Sequence, residues 1–541
     1  MASSSKTANK TEPEWGRGTF SVTFLVANLL KAFFPFSFLP CLVLICGGTA
    51  WTKLGRKGPA SPDDGEDLLE PHILRSLSTI RAASIHTSCS AVHFVVIDVD
   101  GVAWLFGRNG SSCLGLGGTV DAVSEEEPLR IAVEDLGGEG HWVHAACGRN
   151  HTLLVASDGG VWTAGTNVFG QCGHSPSPEI PTFKRIPFFG ADEGQEKAGK
   201  ASAGVTFSCV LTESGKVYAF GSGEKGQLGN GTTGERITTG NKTAFDIVYE
   251  PVMVKDLGPE KITQLSSGQQ HSIALDEKGT VHVWGYNGYC RLGLGNQVDA
   301  LRPKQVPQFA GANAGILVAA GPSNSVVVDK GGMYWMTGKW KNSGDGSSGS
   351  PYSSFRYMPD IMGCKITAAA SGGVTHWALT PDDEGEGTMT ISWGQNAANG
   401  ELGLGPSEPK SATKPIKHQL LAGLDVLSIA PGQNTTLFLV RPSDKMSELP
   451  RHPAEVEVSD ACVICRREDD EEALECDKCD NPYHLSCLTP PLTAVPEGEW
   501  FCPRCISALV GRRLKADGES GKRKALPSSG GRSSAQKKKK Q

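Results

Sequence analysis

One short element recurs seven times, and that recurrence constrains the fold of this chain more than any other feature. Small residues, then G-x-x-H and an apolar run, appear as SAVHFVVI, GRNHTLLV, GVTFSCVL, GQQHSIAL, GPSNSVVV, GVTHWALT and GQNTTLFL. The fourth position falls at His93, His151, Phe207, His271, Asn324, His376 and Thr435, at intervals of 52 to 64 residues. Self-similarity at a fixed period marks a repeat architecture.

Each copy except the last is followed by a turn and a second apolar run that ends in glycine, with an aromatic before it in VYAFG, VHVWG and ISWG. A second glycine follows eight or nine residues on, giving the pairs Gly107 and Gly115, Gly165 and Gly173, Gly221 and Gly229, Gly285 and Gly293, Gly394 and Gly403. The copy at Gly338 keeps its strand and loses the second glycine in GDGSSGS. These glycines are expected where the chain needs positive φ or a close backbone approach. Repetition in every copy assigns the histidines to architecture, because a catalytic site would occur once.

The seventh copy lacks its second half, for the chain turns polar after the apolar run that begins at Thr435. That half returns at the other end in LICGGTAWTKLGRKG, where Gly47 and Gly55 stand eight apart. The pattern predicts an all-β, seven-bladed β-propeller closed by N-terminal strands, whose ends are tied and whose sheet edges are not left open.

The copies resemble the regulator of chromosome condensation family of propellers. AACGRNHTL, GYCRLGLG, GELGLG and CGGTAWTKLGRKG carry the likeness, over residues 42 to 440. Members of that family are associated with chromatin, mitotic structures and, in some cases, small GTPases. The matched residues are structural, so no exchange-factor residues are carried over.

Residues 20–41 are strongly apolar, long enough to raise a membrane anchor. Asn28, Lys31, Pro35 and Pro40 interrupt the run. Its Phe, Leu, Ser, Val and Cys content is what pyrimidine-rich intron sequence encodes, and the expectation is a spurious segment, with an anchor as the minority reading.

Seven of the sixteen cysteines lie between 462 and 505. The rest are scattered without framework spacing, as in a reducing compartment with one metal module. The cluster reads C-x2-C-x10-C-x2-C-x4-H-x2-C-x14-C-x2-C, eight paired ligands of the kind two structural zinc ions need. With every ligand supplied by protein, no position is left for a catalytic water. So small a module draws its folding energy largely from metal.

The cluster resembles a plant homeodomain (PHD) finger, with Trp500 two residues before Cys502; a RING finger usually places its histidine earlier. The resemblance implies interleaved ligation, with Cys462, Cys465, His484 and Cys487 on one ion and Cys476, Cys479, Cys502 and Cys505 on the other. Many such fingers read the histone H3 N-terminal tail by strand addition. An aromatic cage for methyl-lysine is not supplied: Pro482 stands where a reader often has tryptophan, and Tyr483 and Trp500 are expected to pack the finger. Asp477 and Asp480 match the aspartates of fingers that grip unmodified arginine, and paired carboxylates suit a guanidinium. Leu474 and Glu475 flank the expected strand, while Pro496, Glu497 and Gly498 lie where relatives present carbonyls to a peptide's terminal amine. The run EDDEE, 468–472, reads as a solvated loop.

The net charge of −6 hides an asymmetry. Residues 511–541 hold eleven Lys/Arg against two acids, a local +9, which leaves −15 for the rest. With too few apolar residues to fold, this tail is expected to be disordered and to meet an anionic partner such as nucleosomal DNA. The expected organisation is an N-terminal segment to 41, a propeller over 42–440, a linker over 441–460, a finger over 461–507 and a basic tail over 508–541. No Ser-His-Asp set, phosphate-binding loop or open metal site emerges. The expected function is a non-enzymatic nuclear adaptor that reads H3 and docks a protein partner through its propeller. The alternative is exchange-factor action on a small GTPase.

Overall fold

A computed structural model of the chain describes residues 41–55, 67–340, 350–382, 387–454, 461–467, 473–478, 480–496 and 500–503. The apolar segment before residue 41, the GDGSSGS loop up to residue 349, the EDDEE run and the basic tail lie outside these residues. No helix among the described residues is long and apolar enough to cross a membrane.

Seven sheets form the blades, antiparallel apart from one short parallel edge strand in the seventh. The second is representative, with strands Trp142–Cys147, His151–Ala156, Val161–Thr166 and Glu179–Arg185 in that order. The middle strands carry near-continuous apolar runs because both of their faces are covered by neighbouring blades. His151–Ala156 is buried at every position, as is His271–Asp276 in the fourth blade. The third blade carries an extra hairpin, Glu235–Thr238 with Lys242–Phe245.

The seventh blade joins the chain ends as expected. Leu42–Gly47 lies between Thr435–Arg441 and Leu68–Leu74, in unbroken register from Leu42 opposite Val440 to Gly47 opposite Thr435. A fifth strand, Arg451–His452, adds to the outer edge in parallel with Ile73 and Leu74. It brings the chain that leaves the propeller back across its own closure.

The glycines that end the second apolar run sit opposite the fourth position of the repeat. Gly165 pairs with His151 at φ +113°, and a Cβ there would stand 2.4 Å from the Asn150 carbonyl oxygen and 2.5 Å from the His151 Cα. No side chain fits that approach. The same pairing joins Gly107 to His93, Gly221 to Phe207 and Gly285 to His271.

The sixth copy corrects the sequence reading by one residue. Gly394 pairs with Thr375, and His376 lies opposite Trp393, on which its ring stacks at 5.5 Å. GGVTH offers two glycines, and the first makes the turn. The Gly372 N–H bonds the Thr375 carbonyl at 2.8 Å, as the Gly148 N–H bonds that of His151.

Three of the histidines, His93, His151 and His271, join successive blades. Thr152 Oγ1 donates to the Cys113 carbonyl at 2.7 Å, so it must accept from His93 Nε2 at 2.8 Å. Ser208 does the same between Gln171 and His151, and Ser325 between Arg291 and His271. Each ring therefore carries its proton on Nε2 and is neutral. Burial pushes His151 down to about 4, and burial, with the repulsion that a protonated His151 would add, pushes His93 to about 3.

Gly165→Ala is expected to cost more than about 3 kcal/mol, combining left-handed strain with a backbone clash. Gly117→Ala, with no atom within 4 Å of its Cβ, should cost only the φ penalty; urea unfolding compares the two. The buried histidines also set a pH dependence. Their folded pKa values lie below the ordinary 6.5, so stability is full above that value and is lost as pH falls toward 4. Each contributes about 1 kcal/mol of loss at pH 5.5. Unfolding midpoints at pH 7.5 and 5.5 should show the decline, and His151→Gln should make it shallower.

Candidate metal centre and peptide-binding ledge

After the propeller the chain forms a two-stranded sheet, Ala473–Glu475 against Pro482–His484, over a small core. Leu474, Tyr483, Leu485 and Leu488 are buried there, and Tyr483 meets Trp500 edge to face at 5.5 Å. Both rings thus pack the finger, as the sequence suggested.

The cysteines sit on two matching turns. The Arg466 N–H bonds the Cys462 carbonyl, and the Asp480 N–H bonds that of Cys476, both at 2.8 Å. Arg466 and Asp480 take positive φ, +59° and +51°. Donor atoms of Cys462, Cys465, His484 and Cys487 lie within 4.8 Å of one another. Cys465 Sγ and Cys487 Sγ stand 3.4 and 3.8 Å from His484 Nδ1. A tetrahedral zinc ion requires S–N edges of about 3.6 Å. This interleaved set, three thiols and one imidazole, therefore fits zinc. Burial opposes ionisation of Cys462, yet backbone N–H groups at Cys465, His484 and Ile464 bring its thiol down to about 6. It is thus readily a thiolate ligand.

The second set is described in part. Cys476 and Cys502 are buried together, with the Cys502 N–H directed at Cys476 Sγ at 3.2 Å. Cys479 and Cys505 lie outside the described residues, so a second ion stands as a proposal.

The sequence-predicted ledge residues separate into three groups. Leu474 turns its side chain into the core opposite Tyr483, leaving its backbone for strand pairing, and Glu475 is exposed. Among the described residues no second strand pairs with Ala473–Glu475. Pro496 is half-buried, while Glu497 and Gly498 lie outside the described residues. Asp477 and Asp480 are both engaged. Asp477 Oδ2 accepts the Trp500 N–H at 2.6 Å, and its Oδ1 pairs with Arg451 at 2.8 Å. Asp480 Oδ1 pairs with Arg75 at 2.5 Å.

Sequence reasoning missed these propeller partners. Arg75 opens the turn Arg75–Leu77, next to the outer strand of the seventh blade. Lys478 donates to the Ser76 carbonyl at 2.8 Å and to Thr79 Oγ1 at 2.9 Å. Glu125, from the first blade, holds the linker: it accepts from Trp51 Nε1 at 2.5 Å and pairs with His452 at 2.7 Å.

Chelation should release the metal and disorder the finger, changing the fluorescence of Trp500, while the far-ultraviolet signal of the propeller persists. Cys462→Ser should lower bound zinc by one equivalent, measured by metal analysis after gel filtration. A chain that binds no zinc, or a variant with undiminished zinc, would contradict the assignment of this centre.

The RCC1-like domain family matches residues 42–438, and the PHD-finger family matches residues 462–505. Protein RCC2 homolog of Xenopus laevis is 30% identical over 435 residues, covering 76% of this chain and 80% of that protein. Protein RCC2 of Homo sapiens is 29% identical, covering 76% and 79%. The solved structure of Prp20p from Saccharomyces cerevisiae superposes with a TM-score of 0.59 at 18% identity, covering 76% of this chain and 94% of that one. The chain belongs to the RCC1-like domain family, and it carries a PHD finger after the propeller.

Proposed function

We propose that this protein is a non-enzymatic chromatin adaptor whose finger reads the unmodified N-terminal tail of histone H3 and whose propeller docks a protein partner. The observation that carries this reading is the chemistry of the ledge. Asp477 and Asp480 each hold a guanidinium, so the two carboxylates form a surface that accepts arginine. An incoming tail would add along Ala473–Glu475 and place an arginine on the carboxylates. Methylating that arginine removes donors, so the bare form is preferred. Two structural zinc ions would fix the finger, the second held by Cys476, Cys479, Cys502 and Cys505. The solved Prp20p structure is described with that protein's binding to Gsp1p and histones, which is consistent with a nuclear setting. In this reading the basic tail adds DNA contacts on the same nucleosome, and two weak contacts reinforce each other through effective concentration.

The second reading, exchange-factor action on a small GTPase, rests on family membership. Accelerated nucleotide release by the chain with a panel of GTPases would promote it.

The zinc-loaded finger, residues 455–507, should bind an unmodified H3 tail peptide in titration calorimetry, and Asp477→Ala with Asp480→Ala should weaken binding by about tenfold or more. Zinc content should stay unchanged. Equal binding by the double variant would refute the arginine grip.

A further inference from the structure

The two carboxylates that the H3 reading needs are both already engaged by guanidinium groups of the same chain, Asp480 by Arg75 of the propeller and Asp477 by Arg451 of the strand that pairs with its outer edge. Three consecutive described residues of the ledge make contact with it: Asp477 with Arg451, Lys478 with Ser76 and Thr79, and Asp480 with Arg75. The Arg75 side chain is only 8% exposed, and its Nη2 also donates to the Ala454 carbonyl at 3.2 Å. The guanidinium is thus held in place by the linker as well as by the finger.

We propose that Arg75 and Arg451 are an internal ligand of the finger, which closes its acidic ledge against an external arginine-bearing peptide until the finger is released. This rests on the arginine-gripping reading of the ledge. Geometry gives the exclusion directly. One carboxylate oxygen pair cannot hold a propeller guanidinium and a peptide guanidinium in the same place. The tether makes the closure effective. His452 is pinned to Glu125, Arg451–His452 is paired with Ile73 and Leu74, and only residues 455–460 separate Ala454 from Ala461. A linker this short holds the ledge at a millimolar-order effective concentration of its internal partner. The contacts themselves are displaceable. Asp477 and Asp480 remain 23% and 29% exposed in their side chains, so a peptide in solvent reaches both carboxylates, and the Arg451–Asp477 pair, exposed on both sides, is weakened by salt. A peptide that adds backbone pairing and a terminal amine to its arginine can therefore compete.

The test uses the zinc-loaded full chain and an unmodified H3 tail peptide, with Arg75→Gln/Arg451→Gln as the released form. Arg75 is nearly buried, so Lys478→Ala, on the finger's surface, serves as a second release variant. Both should bind the peptide about tenfold or more tightly than the wild-type chain, since the wild type is reduced by its open fraction. A second readout needs no peptide: Lys478 should be acylated slowly in the wild type and faster in Arg75→Gln/Arg451→Gln, by mass spectrometry. Equal acylation in the two chains overturns the docking, whatever the peptide does. Faster acylation in that variant with no gain in peptide affinity, while the finger alone binds H3, overturns the closure. If neither the finger alone nor the released chain binds H3, the histone reading fails while faster acylation still upholds the docking.

Discussion

The pairing of Leu42–Gly47 with Thr435–Arg441 is the constraint on which the rest of this structure depends. It closes the ring with six residues in unbroken register, and it brings the two ends of the propeller into one blade. Everything later in the chain inherits its position from that closure. The outer strand Leu68–Leu74 leads directly into Arg75, and the departing chain returns to pair Arg451 with Ile73 and His452 with Leu74. Both arginines are therefore delivered to the same edge, and the finger follows within a few residues.

Between the blades, order is maintained by groups that tolerate little change. A neutral imidazole donates to a hydroxyl, which in turn donates to a turn carbonyl of the preceding blade. The glycine across the strand leaves room for the histidine backbone to approach. A charged ring there would lack a partner for its second proton: Nδ1 of His151 and of His271 is buried with no hydrogen bond among the described residues. Burial of such a charge is costly, so these histidines serve the scaffold in their neutral form.

The blade pattern was legible because each copy repeats a local solution to the same packing problem. The closing strands could be found for the same reason, since Gly47 and Gly55 keep the spacing of the other copies. The one-residue error at His376 arose where GGVTH offers two candidate turn glycines and only hydrogen bonding selects between them. The interleaved ligand set Cys462, Cys465, His484 and Cys487 was legible from spacing and family resemblance together. The docking was not. Arg75 and Asp480 are 405 positions apart, neither lies in a repeat element, and an arginine beside a buried strand reads in sequence like any solvated charge. Only the fold places it against the finger.

What unites the scaffold and the finger is one chemical preference, that of a carboxylate for a guanidinium, satisfied internally by Arg451 on Asp477 and Arg75 on Asp480 and, in the function proposed above, open to competition from a histone tail. The most direct test titrates unmodified H3 tail peptide into the wild-type chain while following both peptide binding and the acylation rate of Lys478. The account predicts that the amine becomes reactive with the same midpoint at which peptide binds, because the two guanidinium sources exclude each other. Saturating peptide with Lys478 still protected would contradict it.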